Sequence, residues 1–495
     1  MIRWYFLFLC FVGFSSFAAY KVSSPFRLHV LKEPQSLDPQ AQGGTSGSYL
    51  LQSLHRGLYK YDNKLGLVSD LAEKCTLSKK KTLLTCNLKK NIKWSDGVKI
   101  KAKDFVDSIE YLLRNPLDSG SGLNLLTLKN ANHFLESKTN FAEVGVAALN
   151  EETLQFEFSE PQYEFSFNLI QTALSPRPKN EKQFSGPYQL KEWKKGERVI
   201  LTKNPNYLGG NPNRPDVEFL FINEDSTALK LYEKNQLDFL RRLPTSFYKE
   251  WKDKKDFKSF EILRFDYYGF NNSKLNLEQR KALSESLDYL DLQKIYNSIG
   301  RPGCAALPES FFAKGKIPCI DYLIQDPKKS KTSWNKDGLV IGFSSQGGDD
   351  HRRLAEWLQA QWKSHLGLEL KIQAMENKVF LSQIKDSPPT VFRKGVTLDR
   401  PTCLAAVEIF SKDHPENYLK INSPDFEKIL VELQKETNSK RAKSLCSKAV
   451  QWLLEQYYLI PAGRFDFFTL LKPQYSGLEL NLMNQLFLED LRKSE

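Results

Sequence analysis

The 495-residue sequence lacks the common motifs of catalysis and metal binding. It contains no H-E-x-x-H, G-x-S-x-G or Walker motif, no G-x-G-x-x-G after a predicted strand, and no pair of cysteines with C-x2-C spacing. The six histidines are scattered along the chain, so none form a pair with metal-ligand spacing. These absences leave an enzyme unsupported, and we expect no metal or other cofactor.

The sequence also lacks a concentrated basic stretch, although it carries 71 Lys and Arg against 59 Asp and Glu, a formal charge of +12. The lysines occur in short runs that are interrupted by acids or lie beside turn residues. Binding to phosphate backbones requires a basic face or stripe. We therefore interpret most lysines as solvated surface and predict no nucleic-acid partner.

No apolar run reaches the ~20 residues that a membrane span needs. The longest apolar run near the start covers residues 4–12, follows Arg3, and precedes the small residues Ser16 and Ala18. This order of positive charge, short apolar core and small residues is typical of a secretory signal peptide. We predict cleavage after Ala18 or Ala19 and a periplasmic location; an uncleaved anchor is the alternative.

Cysteine is scarce, with seven residues, and Cys10 would be lost with the signal peptide. An even number in an exported chain favours disulfides. The stretch between Cys75 and Cys86 predicts a hairpin, with apolar residues flanking a lysine-rich tip at Lys80 and Lys81. A turn centred there places the two cysteines opposite each other, within the separation that a disulfide tolerates.

The four remaining cysteines can form two further disulfides. Cys304 and Cys319 bracket a loop that contains proline and glycine, and a bond between them would close it. Cys403 and Cys446 are then left to pair by elimination. Sequence alone cannot choose among the possible connectivities.

The chain is too long for one hydrophobic core, because a single core stops growing near ~250–300 residues. Residues 339–343 predict a strand, 352–365 a helix and 368–373 a second strand. That order is a βαβ unit and indicates a parallel sheet in the second half. We therefore expect an α/β protein with two or three lobes.

Several short strings follow one another in a characteristic order between about residues 26 and 478. They are EPQSLDP from residue 33, KWSDG from 93, GPY from 186, KNPNY from 203, YYGFNN from 267 and LIP from 459. In this order and spacing the chain resembles the extracytoplasmic solute-binding proteins of the oligopeptide and dipeptide receptor family, which serve ABC importers. The resemblance covers nearly the whole mature chain.

The resemblance implies an α/β, two-lobed periplasmic binding protein-like fold (type II, cluster C) with an extra inserted domain. Lobe I would comprise residues 19–60, 183–265 and 465–495, the inserted domain 61–182, and lobe II 266–464. Two crossovers, near residues 266–272 and 463–465, would join the lobes, which close over a ligand.

The implied function is capture of oligopeptides or dipeptides in the cleft between the lobes, and delivery to an ABC transporter permease in the inner membrane. Receptors of this family hold the peptide backbone as an added strand and act without chemistry. The resemblance also implies a monomer.

The resemblance implies ligand contacts at two conserved-looking strings. Glu33 and Pro34 match the segment after the first strand, which contributes backbone contacts in peptide receptors. Tyr267 and Tyr268 match the aromatic segment at the crossover, where a ring can line the cleft. A packing role for these two tyrosines is the alternative.

The chain departs from the family where an aspartate usually holds the amine of the peptide. That aspartate stands in an Ala-Asp-Tyr string before a proline. Alignment on Pro401 puts Thr397 at its position and Arg400 where an acid is common, while Asp399 is offset by two residues. Our hypothesis is that Asp399 binds the amine.

If the amine anchor is absent, Arg393, Lys394 and Arg400 would instead favour a carboxylate or another anion, and the same fold would bind a non-peptide solute. A third alternative is a periplasmic interaction or chaperone-like protein that is not coupled to transport. A hydrolase on this fold would need catalytic residues that the motifs do not reveal.

Overall fold

The computed structural model describes residues 24–40, 45–62, 66–115, 125–289, 291–292, 300–301, 307, 311–312, 318, 333–334, 338–345, 348–398 and 400–494. The predicted signal peptide, Cys304, Cys319 and Asp399 lie outside these residues. Across the described part of the chain, no helix has both the length and the apolar composition of a membrane span.

The described helices and strands alternate along the chain. The helices are α1 Thr45–Leu54, α2 Ala102–Arg114, α3 Ala131–Leu135, α4 Phe165–Asn168, α5 Asp225–Glu233, α6 Tyr248–Trp251, α7 Leu277–Glu285, α8 Gly348–Leu366, α9 Asn377–Asp386, α10 Cys403–Val407, α11 Pro424–Lys435 and α12 Ser439–Glu455. The strands of the first half are β1 Phe26–Val30, β2 Tyr59–Tyr61, β3 Leu67–Ser69, β4 Ala72–Leu77, β5 Leu83–Leu88, β6 Val146–Ala148, β7 Thr153–Glu157, β8 Tyr188–Lys194, β9 Arg198–Lys203, β10 Val217–Phe221 and β11 Phe239–Leu240. Those of the second half are β12 Phe257–Glu261, β13 Arg264–Phe270, β14 Gly300–Arg301, β15 Val340–Ser344, β16 Lys371–Met375, β17 Val391–Thr397, β18 Leu459–Leu471, β19 Tyr475–Ser476, β20 Glu479–Leu480, β21 Leu486–Phe487 and β22 Arg492–Lys493.

The parallel core of lobe I is formed by β1 and its two neighbours. Strand β1 pairs in parallel with β10 on one side and with β11 on the other. The β1 residues Phe26, Leu28 and Val30 are fully buried, because a parallel strand inside a sheet is covered on its faces. Antiparallel β9 and β8 extend this half of the sheet.

Lobe II contains the predicted βαβ unit. Strand β15 pairs in parallel with β16 and with β17, and α8 connects β15 to β16. The prediction of a parallel sheet in the second half is therefore confirmed. The second strand begins at Lys371, three residues later than predicted, and Leu368 and Leu370 are buried in the segment before it.

Two long strands join the lobes into one sheet. Strand β13 pairs with β17 of lobe II and with the first part of β18, from Leu459 to Gly463. The rest of β18, from Asp466 to Leu471, pairs with β12 and β11 of lobe I. The predicted crossovers fall on these two strands, whereas the residue boundaries of the lobes stay a prediction.

The inserted domain has its own four-stranded antiparallel sheet, in the order β4-β5-β7-β6. The predicted hairpin is formed by β4 and β5, and the Cys75–Cys86 disulfide joins opposite residues with a Cα–Cα distance of 3.9 Å. The predicted Cys403–Cys446 disulfide is also present and connects α10 to α12. Both bonds agree with the sequence-based pairing.

Candidate functional site

The carboxyl ends of the parallel strands in the two lobes face the crossover. Strand β11 runs antiparallel to β18, so its carboxyl end points toward the middle of β18, where the strand passes between the lobes. In lobe II, Thr397 at the end of β17 lies opposite Arg264 at the start of β13. Ligands of open α/β sheets bind outside these carboxyl ends. The region between the two edges is therefore the candidate site.

A cluster of charged side chains lies at the crossover, centred on the buried Asp266 of β13; the Arg264 side chain in this cluster is 37% exposed. Arg264 donates to both oxygens of Asp266, with Nε–Oδ2 and Nη2–Oδ1 distances of 2.8 and 3.1 Å. Arg393 on the neighbouring β17 donates from Nη2 to Oδ1 at 3.0 Å. The Nδ1 atom of His351, in the first turns of α8, lies 3.5 Å from Nη1 of Arg393. One carboxylate therefore faces two guanidinium groups and an imidazole.

The electrostatics of this cluster keep Asp266 charged and His351 neutral. Burial would raise the pKa of Asp266, but Arg264 and Arg393 outweigh it and lower that pKa below its ordinary value. Burial, together with Arg393 and Arg264, lowers the pKa of His351 to about 2. At neutral pH the four side chains carry two positive charges and one negative charge. An excess of one positive charge remains.

The geometry of Arg393 suits an incoming anion. Its side chain is only 6% exposed, and its Nε has no hydrogen-bond partner among the described residues. A buried donor without a partner costs free energy unless a ligand or water satisfies it. A guanidinium also matches a carboxylate in shape and charge. The cluster can thus bind a carboxylate, and it offers no nucleophile or metal ligand set.

Lobe I presents a second group of polar side chains near its carboxyl edge. Asp225 lies 3.4 Å from both Nε2 of His29 and Nη2 of Arg241, measured from Oδ1. Burial would raise the pKa of Asp225, but the contacts with His29 and Arg241 lower it. Tyr49 donates its hydroxyl to Oδ1 of Asn484 at 2.6 Å. The hydroxyl of Thr245, which follows β11 in the chain, accepts from Nη2 of Arg353 on α8 at 3.4 Å.

Glu33 and Pro34 follow β1 directly and so lie at the carboxyl edge of lobe I, as the sequence predicts for a ligand-contacting segment. The carboxylate of Glu33 is already used within the protein: it accepts from Nε1 of Trp193 at 2.7 Å and from the backbone N–H of Gly196 at 3.0 Å. Pro34 is buried. A ligand role for this segment therefore rests on backbone atoms and stays a prediction.

Tyr267 and Tyr268 lie on the crossover strand, but both rings are buried inside lobe II. Tyr267 is 0% exposed and packs edge-on against Phe410, with ring centroids 5.6 Å apart. Tyr268 is 2% exposed and belongs to the apolar cluster around Trp362 on the other face of the sheet. Of the two roles considered from the sequence, this arrangement favours packing.

The three basic residues of the anion hypothesis do not come together. Arg393 belongs to the Asp266 cluster, while Lys394, next along β17, faces the other side and lies 5.1 Å from the ring of Tyr418. Arg400 pairs with Glu164 of the inserted domain at 2.7 Å. Arg400 is thus engaged by a protein carboxylate and not oriented as part of a shared anion site. The position of Asp399 lies outside the described residues.

Sequence reasoning missed Arg264, Asp266 and His351 as site residues. From the sequence, His351 is treated only as a possible metal ligand, Asp266 only as part of a crossover and Arg264 only as part of lobe I. Arg264 and Asp266 are two apart, so they share one face of a strand, which is the only local signal that they interact. Nothing local indicates that Arg393 joins them from 127 residues away.

Comparison with protein families agrees with this architecture. The profile described as "Bacterial extracellular solute-binding proteins, family 5 Middle" matches residues 66–417. Among characterised proteins, the chain is 24% identical to the oligopeptide-binding protein OppA of Bacillus subtilis, over 89% of this chain and 87% of the relative. It is 25% identical to the periplasmic murein peptide-binding protein MppA of Escherichia coli, over 92% and 90% of the two chains.

Solved structures share the fold over almost the full length. The OppA of Haemophilus influenzae in complex with RPPGFSPFR superposes with a TM-score of 0.81 at 21% identity, covering 96% of this chain and 100% of the other. The Escherichia coli murein tripeptide-binding protein MppA gives a TM-score of 0.81 at 22% identity, covering 95% and 98%. At these identities the match shows a common fold.

Proposed function

Because the chain belongs to the bacterial extracellular solute-binding proteins of family 5, we propose that it binds peptides between its two lobes and delivers them to an ABC transporter permease. The peptide assignment is carried by the family match over residues 66–417 and by relatives named for peptide binding, and the excess positive charge at the crossover supports binding of the carboxylate of a peptide. Arg264 and Arg393 face the single carboxylate of Asp266. The carboxylate of a peptide would neutralise the remaining positive charge.

The site supports recognition of both peptide ends. The carboxylate would bind beside Arg393, and the amine beside Asp399, which follows β17 in the chain. Arg393 and Asp399 are six residues apart, and six residues of chain span at most ~20 Å. A ligand held by both side chains would therefore be a peptide of a few residues. Backbone atoms after β1, including those of Glu33 and Pro34, would hold the peptide main chain as an added strand.

The proposal describes binding without catalysis and needs no cofactor. The protein would act in the periplasm as a monomer after cleavage of the signal peptide. Support comes from the family membership and from relatives whose names record oligopeptide and murein peptide binding. Sequence-independent contacts to the peptide main chain would allow a range of side chains.

The first test is mass spectrometry of small molecules that denaturation releases from the purified mature protein. A mixture of short peptides is the expected result. A single non-peptide anion would keep the fold but reassign the ligand to the Arg393 cluster alone. An empty cleft, together with no heat of binding for a panel of di- to pentapeptides, would contradict the proposal.

The amine anchor is tested separately with Asp399→Ala. Loss of a charged partner from a desolvated pair costs ~3–5 kcal/mol, so we expect peptide affinity by calorimetry to fall at least ~100-fold. Asp413→Ala is the matched control, because Asp413 is an exposed acid of the same lobe. Unchanged affinity in Asp399→Ala would remove Asp399 from the site but leave the carboxylate site standing.

A further inference from the structure

A charged contact joins the inserted domain directly to lobe II. Nε of Arg400 donates to Oε2 of Glu164 at 2.7 Å, and the Thr402 hydroxyl donates to the same oxygen at 2.9 Å. The Arg400 side chain is 7% exposed and that of Glu164 is 27% exposed. The contact is therefore partly desolvated, which strengthens a charge-assisted hydrogen bond relative to one at the surface.

The lobe II side of this contact is held rigidly. Arg400 also donates to Glu408, which directly follows the last residue of α10. The Thr402 hydroxyl caps α10 by accepting from the N–H of Ala405 at 3.2 Å. The next residue, Cys403, is linked by a disulfide to Cys446 of α12. A movement of lobe II would therefore carry the segment 400–403 with it.

The Glu164 side of the contact moves with lobe I. The backbone N–H of Tyr59 donates to the carbonyl of Leu169 at 3.3 Å, one turn beyond Glu164. Gln40, which follows β1, donates from Nε2 to the hydroxyl of Ser108 on α2 at 2.9 Å. The inserted domain is thus fastened to lobe I on two sides. Separation of the lobes would pull Glu164 away from Arg400.

We propose that Arg400 and Thr402 are positioning residues that bind Glu164 when the lobes close, so that the contact between the inserted domain and lobe II slows release of the ligand. This inference rests on the proposed function, because it assigns a role in ligand release. Contacts made only in the closed state shift the equilibrium toward that state, and a ligand trapped there leaves more slowly. Arg400 therefore acts through closure and does not touch the ligand.

The test compares Glu164→Gln with Glu408→Gln, which removes a partner of Arg400 inside lobe II. The two carboxylates are equally exposed, at 27% and 29%, so the variants are matched in burial. We expect Glu164→Gln to raise the rate of peptide dissociation about tenfold, equal to ~1.4 kcal/mol. We expect less than a ~3-fold rise for Glu408→Gln by the same scale. Stopped-flow dissociation of peptides recovered from the protein gives both rates.

Two further variants distinguish retention from simple destabilisation. Arg400→Met should raise the dissociation rate as much as Glu164→Gln, and the double variant should add nothing more. Glu164→Asp, which keeps the charge, should restore part of the effect. Equal rates for Glu164→Gln and Glu408→Gln, or a change in melting temperature without a change in rate, would overturn the inference.

Failure of the proposed function can be told apart from failure of this inference. If the wild-type protein binds no peptide, small-angle X-ray scattering of the ligand-free variants still tests the contact. Glu164→Gln should then have a larger radius of gyration than Glu408→Gln, because its lobes separate more often. Identical scattering curves would contradict the closing role whatever the ligand is.

Discussion

Among the described residues, the charge cluster around Glu489 and the one at the crossover differ in how completely their charges are balanced. In lobe I, Arg56 donates to Glu489 at 2.6 Å and lies 3.7 Å from Asp70, while Lys60 donates to Glu489 at 2.8 Å. Tyr207 donates its hydroxyl to Asp70 at 2.9 Å. Two cations meet two carboxylates, so the formal charges of this cluster balance within the chain, although Nε of Arg56 and Oδ2 of Asp70 have no hydrogen-bond partner among the described residues.

The crossover cluster of Arg264, Asp266, His351 and Arg393 uses the same groups with a different balance. Two guanidinium groups share one carboxylate, and the neutral His351 adds no negative charge. A balanced cluster can only hold the fold together, whereas a cluster with excess charge can bind an anion and be neutralised by it. The comparison therefore assigns a structural role to the balanced cluster and makes the crossover cluster the candidate for binding an anion.

The largest expected effect is the loss of stability that follows when the balanced cluster is disrupted. Arg56→Met leaves Glu489 and Asp70 buried with only Lys60 as a cation, so we expect a loss of ~3–5 kcal/mol in unfolding free energy. Urea unfolding at pH 7 measures this loss. Lys60→Met is the control, since Lys60 is 28% exposed and should cost only ~1 kcal/mol. A loss below ~1 kcal/mol in Arg56→Met would contradict a structural role for the pair.

The next effect is on ligand binding at the crossover. Arg393→Met should lower peptide affinity ~10- to 100-fold, since a hydrogen bond to a charged group contributes ~1.5–3 kcal/mol. Stability should change little, because Arg264 still pairs with Asp266. Calorimetry and urea unfolding of the same sample measure the two quantities. Large loss of stability with unchanged affinity would reverse the roles assigned to the two clusters.

The third expected effect is a dependence of the unfolding free energy on pH, to which His351 of the crossover cluster contributes. The folded pKa of His351 is about 2, below the ordinary 6.5, so its contribution is present above pH 6.5 and is lost as pH falls. Between pH 6.5 and 5 the unfolded state gains about half a proton and the folded state almost none, which costs ~1.7 kcal/mol of unfolding free energy.

His351→Gln should remove this part of the pH dependence. Its unfolding free energy, measured by urea at several pH values, should fall less steeply than that of the wild type over that interval. Parallel curves for the two proteins would mean that His351 is not held neutral in the folded state.

The smallest expected effect concerns Tyr268. Its hydroxyl is buried and has no hydrogen-bond partner among the described residues, so Tyr268→Phe should change stability by less than ~0.5 kcal/mol. Tyr232→Phe is the contrast, because the Tyr232 hydroxyl donates to Asp256 at 2.6 Å and its loss should cost ~1 kcal/mol. A tenfold loss of peptide affinity in Tyr268→Phe would instead indicate that Tyr268 contacts the ligand.

Local features of the fold were predictable from the sequence. The hairpin that carries Cys75 and Cys86 and the βαβ unit from β15 to β16 both depend on residues that are near neighbours in the chain. The order of short strings also identified the family. These signals lie in near neighbours and spacing, which the sequence displays directly.

The candidate site was predictable only in part. Glu33 and Pro34 are at the expected edge, but the rings of Tyr267 and Tyr268 turned out to be buried because the crossover strand is covered on both faces by lobe II. Arg400 was grouped with Arg393 because the two are close in sequence. The end of β17 at Thr397 separates them, so they reach different partners.

The sequence by itself determined the local elements, the family and the supply of charged residues. Only the tertiary structure decided which charges meet: Arg393 reaches Asp266 across 127 residues, and Arg400 reaches Glu164 across 236. The reason is physical, because such pairs depend on the register of strands that long connections bring together. A balanced cluster and an unbalanced one are built from the same residue types. A structural cluster can therefore be told from a candidate binding cluster only once the chain is folded.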